Sequence, residues 1–204
     1  MDLRETYNRI ADDWAREHAT DTWSQPAVER FCSLLKPGSL ILDVGCGPGL
    51  KAKFFVEQNF QIFGIDISER MIELAKESAP TASFKVLELA ALDQLGQTFD
   101  GVFAQAILLH VPKNECAKAV IKMADKLRPG GHIFLAVKEK REGRGEEEVV
   151  KENSYGYVYE RFFSYFRAEE VCNYVRQAGL EVVHEEFVGS EGKRWIIVFG
   201  KKFK

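Results

Sequence analysis

The sequence predicts an α/β protein built on a doubly wound, mostly parallel sheet. Three observations carry that expectation. From residue 40 onward, short apolar runs alternate with amphipathic stretches at helical spacing. A glycine-rich turn, "DVGCGPG" (43–49), falls where the first strand passes into a helix. The last two apolar runs, 181–188 and 194–202, lie so close in sequence that they can only pair as an antiparallel hairpin.

Each element has its own signal. "LILDV" (40–44) is a short apolar run ending at a glycine turn and reads as a buried strand, and "GLKAKFFVEQN" (49–59) follows as a helix. "QIFGIDI" (61–67) is the second strand. "SERMIELAKESA" (68–79) is a helix with Ser68 as N-cap and an apolar set at Met71, Ile72, Leu74 and Ala75. "ASFKVLEL" (82–89) and "FDGVFAQA" (99–106) are the third and fourth strands. Residues 112–131 place Cys116, Val120, Met123, Ala124 and Leu127 at helical spacing, with Pro129 and two glycines as the stop. "HIFLAVKE" (132–139) is the fifth strand, "AEEVCNYVRQAGL" (168–180) a further helix, and 181–188 with 194–202 the closing hairpin. Right-handed crossovers put helices on both faces, and ligands in such sheets bind beyond the carboxyl ends of the strands, where the 45–49 turn lies.

Residues 140–166 break the rhythm. The segment opens with charges and glycines, which predicts a mobile first half, and turns aromatic, which predicts a flap that packs down. Tyr155, Tyr157, Tyr159, Phe162, Phe163 and Phe166 either wall an apolar pocket or pack on the sheet. Lys138, Lys140, Arg141 and Arg144 either meet an anionic substrate or form a solvated loop.

The 204 residues suit one domain with a sizeable core, and a net charge of −3 argues against a broad grip on nucleic acid. Cys32, Cys46, Cys116 and Cys172 form no CxxC pair and no cluster with histidine, so no metal is expected and reduced, cytoplasmic thiols are. No signal-peptide pattern or membrane-length apolar run is present, so the chain is read as a soluble cytoplasmic protein.

Counting from Gly45, a dinucleotide fingerprint wants glycine at the sixth position, which here is Leu50. Gly49 gives GxGxG instead. Asp66 ends the second strand, placed to accept ribose hydroxyls of any adenosine ligand or to cap the following helix, a task Ser68 can also do. "LILDVGCGPG", "GIDISERMIELAKE", "FDGVFAQAILLHVP" and "KLRPGGHIFLAVKE", in that order, closely resemble the class I S-adenosylmethionine-dependent methyltransferases. The likeness covers roughly residues 5–140, and the rest more loosely.

That resemblance implies a Rossmann-like seven-stranded sheet of order 3-2-1-4-5-7-6 with strand 7 antiparallel, one methyltransferase domain over 1–204, a helical cap in 1–37 and a lid-like insertion in 140–166. It implies that Gly45, Cys46 and Gly47 lie against the cofactor's methionine moiety, with Asp43 shaping the loop. Asp66 would hold the ribose and Ile67 flank the adenine, with Met71 on the same side. Glu88 stands where the family often has Asp toward the adenine amino group, with the Leu89 N–H facing the ring. The Gln105 backbone would meet the methionine ammonium. Tyr7 and Trp14, on a helix "YNRIADDWA", would fold over the cofactor or pack in the core. His110 is the candidate base or substrate contact, or a residue that shapes the loop. His184, His18 and His132 show no partner pattern. Arg167 replaces the family's usual Thr, which removes a helix cap.

"QAIL" stands where base-amino methyltransferases carry Asp/Asn-Pro-Pro-Tyr/Phe, so a small-molecule acceptor is expected rather than nucleic acid. Two rivals stay open: a NAD(P)-dependent oxidoreductase, weakened by Leu50, and a cofactor-binding protein without catalysis. Acceptor and oligomeric state are not written in the sequence.

Overall fold

A computed structural model describes residues 2–143, 145–189 and 194–203, so Arg144 of the basic cluster lies outside the described residues. Six α-helices and nine strands appear among them: α1 (Leu3–His18), α2 (Gln25–Ser33), β1 (Leu40–Val44), α3 (Leu50–Glu57), β2 (Gln61–Asp66), α4 (Glu69–Ser78), β3 (Ser83–Val86), β4 (Phe99–Gln105), α5 (Lys113–Asp125), β5 (Leu127–Lys138), β6 (Glu147–Glu152), β7 (Tyr159–Ser164), α6 (Ala168–Gln177), β8 (Leu180–Val188) and β9 (Trp195–Lys202). Seven strands form one sheet of order β3-β2-β1-β4-β5-β9-β8. β1 to β5 run parallel, and β9 is antiparallel to both β5 and β8. This is the order the resemblance implied, renumbered by the inserted pair β6 and β7.

Successive residues of the central strands feed opposite cores, as a two-sided sheet requires. Leu42, Val102, Ile133, Leu135 and Val198 face the layer of α5 and α6. Ile41, Phe103, Phe134, Ala136 and Phe199 face the layer of α2 and α3. In the second layer Phe31 of α2 lies within 6.3 Å, ring centre to ring centre, of Phe55, Phe103, Phe134 and Phe199. α2 is therefore a core element and not merely part of a cap. In α5, Cys116, Val120, Met123 and Ala124 are buried as the helical spacing predicts. The helix ends at Asp125, short of Pro129, because Leu127 already pairs with Phe99 across a bulge that precedes the regular ladder at His132. No helix among the described residues is long and apolar enough to cross a membrane.

Residues 140–166 contain the main departure from expectation. The charged first half is not an open loop: β6 pairs with β7 in an antiparallel hairpin. A bridge between Glu139 and Phe166 closes its neck, with Lys140 N–H donating to Phe166 O at 2.8 Å and Phe166 N–H to Lys138 O at 3.0 Å. The hairpin thus leaves and rejoins the sheet at the end of β5. Phe163 and Phe166 are buried, whereas Tyr155 and Tyr157 turn toward α1. At α6 the missing Thr has the expected effect: no side chain caps the helix at Arg167, and only its backbone N–H reaches Glu170, at 3.4 Å.

Gly49 opens α3 at φ 77°, and a Cβ there would lie 2.9 Å from Ala75 Cα of α4. The fifth-position glycine therefore serves helix packing, the task the dinucleotide fingerprint assigns to its sixth. Gly38 has the same hand, φ +78°, with open space around it. Gly49→Ala should cost about 2–5 kcal/mol, from left-handed backbone plus overpacking, and Gly38→Ala only about 1–2 kcal/mol. Urea unfolding of the two variants measures the difference; equal losses would remove the packing account.

Candidate active site

The crevice opens at the carboxyl ends of β1 and β4, where the sheet order reverses. The backbone N–H groups of Gly45 and Cys46 both donate to Ile65 O of β2, at 2.8 and 2.9 Å, which anchors the turn. The Cys46 side chain packs beside Ile72 and Ala75, and its thiol donates to Gly47 O at 3.7 Å. Burial raises its thiol pKa well above the ordinary value. Asp66 ties the turn to α4: its Oδ2 accepts from Gly47 N–H and its Oδ1 from Ser68 N–H, each at 2.9 Å. Ser68 Oγ in turn accepts from Met71 N–H at 3.1 Å. Capping thus falls to Ser68, which leaves Asp66 facing the turn. Burial raises the Asp66 pKa. Ile67 is half-buried beside it, and Met71 is buried in the first turn of α4.

Two buried acceptors in this crevice lack hydrogen-bond partners among the described residues: Asp43 Oδ2 on β1 and Gln105 Oε1 on β4. Burial, with Asp66 nearby, raises the Asp43 pKa to about 7. The next residue on the β4 side, Ala106, has φ 61°, a left-handed backbone that a residue with a Cβ rarely adopts. Strain and unpaired acceptors therefore coincide at the switch point. Both orphan atoms want donors, so a group carrying N–H, such as an ammonium, suits them.

α1 lies over this crevice. Asn8 Oδ1 accepts from Ser68 Oγ at 2.6 Å and Arg70 N–H at 3.1 Å, while Asn8 Nδ2 donates to Glu69 at 2.7 Å. Trp14 stacks on His18 at 4.0 Å, and its Cζ3 would stand 3.7 Å from a Cβ at Gly47. Tyr7 Oη is 2.7 Å from His110 Nε2, and His110 Nδ1 is 2.8 Å from Phe162 O. The carbonyl can only accept, so Nδ1 carries the proton and Nε2 accepts from Tyr7. Burial lowers the His110 pKa to about 3, and Arg161 and Lys138 add to the fall. Burial raises the Tyr7 pKa, against the pull of Arg161. His110 is therefore neutral, with its basic nitrogen already engaged.

Glu88 stands apart from this cluster. It pairs with Arg4 at 2.9 Å, which also holds Glu69, and Leu89 begins a 3-10 turn packed on the core. The Glu88 carboxylate thus has a partner already, on α1.

Sequence reasoning missed Arg161 and Glu152. Arg161 Nε and Nη2 grip Glu152 at 2.6 and 2.7 Å, a diagonal pair across β6 and β7, and Nη1 reaches Tyr7 Oη at 3.4 Å. A signal existed: Tyr159, Arg161 and Phe163 share one face of a strand, with Arg161 the lone charge on it.

A family model described as a methyltransferase domain matches residues 15–185. The chain belongs to this family. It has the fold and the motif order of the class I S-adenosylmethionine-dependent methyltransferases. The chain is 30% identical over 159 residues to a ubiquinone biosynthesis O-methyltransferase of Aromatoleum aromaticum, covering 71% of this chain. It spans 64% of that relative's length, and 42% and 30% of two others. Among solved structures it resembles a Burkholderia thailandensis 1,6-didemethyltoxoflavin-N1-methyltransferase with bound S-adenosylhomocysteine, at TM-score 0.77, 19% identity, and coverage of 99% of this chain and 88% of that one. It also resembles a [4+2]-cyclase, SpnF, at TM-score 0.69, 20% identity, and coverage of 91% and 84%. At such identities the likeness is one of fold, and the cyclase demonstrates that this fold hosts other reactions.

The raised pKa of Asp43 has a consequence for stability. Its unfolded carboxyl ionises near pH 4, whereas the folded group holds its proton up to about pH 7. As pH rises through that window the unfolded state loses the proton first, so stability falls. In the ligand-free methyltransferase, Asp43→Asn should therefore raise Tm at pH 8, by a few degrees, and leave it unchanged near pH 4. Thermal melts across this range check it; a Tm gain of equal size at both ends would contradict it.

Proposed function

We propose that the chain transfers a methyl group from S-adenosylmethionine to a small molecule by direct in-line displacement. The observation that carries this reading is the anchored glycine turn, with Asp66 on one side and two unpaired buried acceptors on the other. When bound, the cofactor supplies a methyl on a sulfonium, already activated toward a nucleophile. Asp43 and Gln105 would take its ammonium, the backbone of Gly45, Cys46 and Gly47 would lie along its methionine chain, and Asp66 would accept its ribose hydroxyls. Ile67 and Met71 would border its adenine, with Leu89 N–H toward the ring edge. We keep Glu88 there only through its backbone, because its carboxylate is spent on Arg4.

α1 and the β6–β7 hairpin form the two halves of a lid in this reading. Tyr157 Oη donates to Asp13 at 2.8 Å, Tyr155 Oη donates to Glu17, and Arg9 lies 4.4 Å over the Tyr157 ring, so α1 and the hairpin hold each other. Their shared work is to exclude water and hold the acceptor in line. The relatives' names support a small-molecule acceptor: ubiquinone biosynthesis, phosphoethanolamine and trans-aconitate. Four unpaired thiols suit a cytoplasmic setting.

His110 acts by position in this scheme. Its engaged, weakly basic Nε2 suits the fixing of Tyr7 and α1 better than removal of a proton at neutral pH. A reaction needing no dedicated base tolerates this.

Two measurements test the reading. S-adenosylhomocysteine at about 100 times its Kd should stabilise the protein by about 2.7 kcal/mol. NAD and NADP should give no shift, and Asp66→Ala should abolish most of the effect; stabilisation by the nicotinamides alone would replace this reading with the oxidoreductase. The pH profiles of kcat/KM for the parent and His110→Asn should run parallel between about pH 5.5 and 7.5. A step present in the parent and lost in the variant would make His110 the base.

A further inference from the structure

Lys138 is the last residue of β5, next to the end of β4, and it points into the space under the hairpin. Its Nζ lies 4.3 Å from the centre of the Phe163 ring and 5.9 Å from that of Trp195. Trp195 stacks on Trp23 at 4.4 Å, which extends the aromatic wall. The neighbouring basic residues behave differently: Lys140 pairs with Glu146 at 3.0 Å, and Arg141 is exposed. The Lys138 ammonium has no hydrogen bond or ion pair to the described residues. Burial lowers its pKa, and Arg161 lowers it further.

Arg161 and Arg141 add positive charge beside it, and Glu152 and Glu148 add negative charge. Glu152 is committed to both ends of the Arg161 guanidinium, and Glu148 accepts from Tyr165 Oη at 2.7 Å. The Lys138 ammonium itself is partly removed from water and bordered by aromatic rings. An unpaired cation so placed costs free energy unless an anion joins it. The Phe163 ring that borders this ammonium also lies 5.1 Å from the His110 ring, and His110 meets Tyr7, so Lys138 stands beside the region where the proposed acceptor would reside.

We propose that Lys138 is the anion-binding residue of the acceptor site and that the acceptor is an aromatic or otherwise flat apolar molecule bearing one carboxylate. This rests on the methyltransferase reading above and names its substrate class. One ammonium partly removed from water suits a monoanion better than a phosphate monoester, whose nearly two charges cost more to desolvate. The flanking rings of Phe163 and Trp195 suit a flat apolar body. Lysine presents a point charge, so it selects for charge without demanding the two-pronged geometry of arginine.

A lysine that merely lays its stem along aromatic surface would give the same contacts but would not distinguish a charged ligand from a neutral one. Protein saturated with S-adenosylhomocysteine is therefore titrated calorimetrically with benzoate, phenylacetate and indole-3-acetate, with their amides, and with phenyl phosphate. The best carboxylate should bind about tenfold tighter than its own amide and tighter than phenyl phosphate. Lys138→Met should reduce that preference to within about twofold, and Lys138→Arg should retain most of it. Both variants should keep the parent's affinity for S-adenosylhomocysteine. Equal binding of acids and amides, a preference for phenyl phosphate, or a preference that survives Lys138→Met would each overturn the proposal. Absence of S-adenosylhomocysteine binding in the parent would instead remove the methyltransferase reading, and this proposal with it.

Discussion

The Asp66 carboxylate is the point on which the site depends. Its two oxygens accept from Gly47 on one side and Ser68 on the other, so a single side chain sets the glycine turn against the start of α4. From there the dependence is sequential. Ser68 caps α4 and donates to Asn8, Asn8 seats α1, and α1 brings Tyr7 to His110. A buried carboxylate that must stay acceptor-only at both oxygens pays a desolvation penalty, and the two backbone N–H groups offset it. The same geometry that positions the turn is thus the geometry that makes a buried acid tolerable.

The sheet and the cover over it are held by different forces. Phe31, Phe103, Phe134 and Phe199 interlock on one face of the sheet, and that apolar burial resists change. The cover is held largely by polar pairs at or near the surface: Arg70 with Asp12, Arg4 with Glu69 and Glu88, Tyr157 with Asp13. Exposed pairs of this kind contribute little each and weaken with salt. The cover is also seated by apolar residues, Ile10 and Ala11 of α1 and Tyr159 and Phe163 of the hairpin, all buried.

The division has a functional counterpart. In the proposed reading the sheet would hold the cofactor through backbone and a few acids, and the fold likeness to both a methyltransferase and a [4+2]-cyclase means that this part does not dictate the reaction. Specificity would then reside in what the cover adds. Arg161, Glu152 and Phe163 come from the hairpin, Tyr7 from α1, and they meet His110 from the turn after β4 and Lys138 from the end of β5. No two of these groups, except those of the hairpin, are close in sequence.

Local sequence determined the order of the elements, the turn and its acid, because each is a short-range matter of periodicity, capping and glycine placement. Ser68 as cap, the buried face of α5 and the antiparallel closing strands all follow from residues within a few positions of one another. The early end of α5 was not legible, because pairing of Leu127 with Phe99, 28 positions away, overrides the helical spacing. The hairpin in 140–166 was hidden for a related reason. Its β6 strand, "EEVVKE", is exposed on alternate positions and charged, and only cross-strand pairing to the aromatic β7 makes it a strand. The state of His110 was also beyond the sequence: a histidine in a loop can be charged or neutral, and only burial against the Phe162 carbonyl and Tyr7 settles it. The same holds for the basic run after β5. Its composition leaves anion contact and solvation both open, and only the folded hairpin gives Lys140 the Glu146 carboxylate and Lys138 the Phe163 and Trp195 rings.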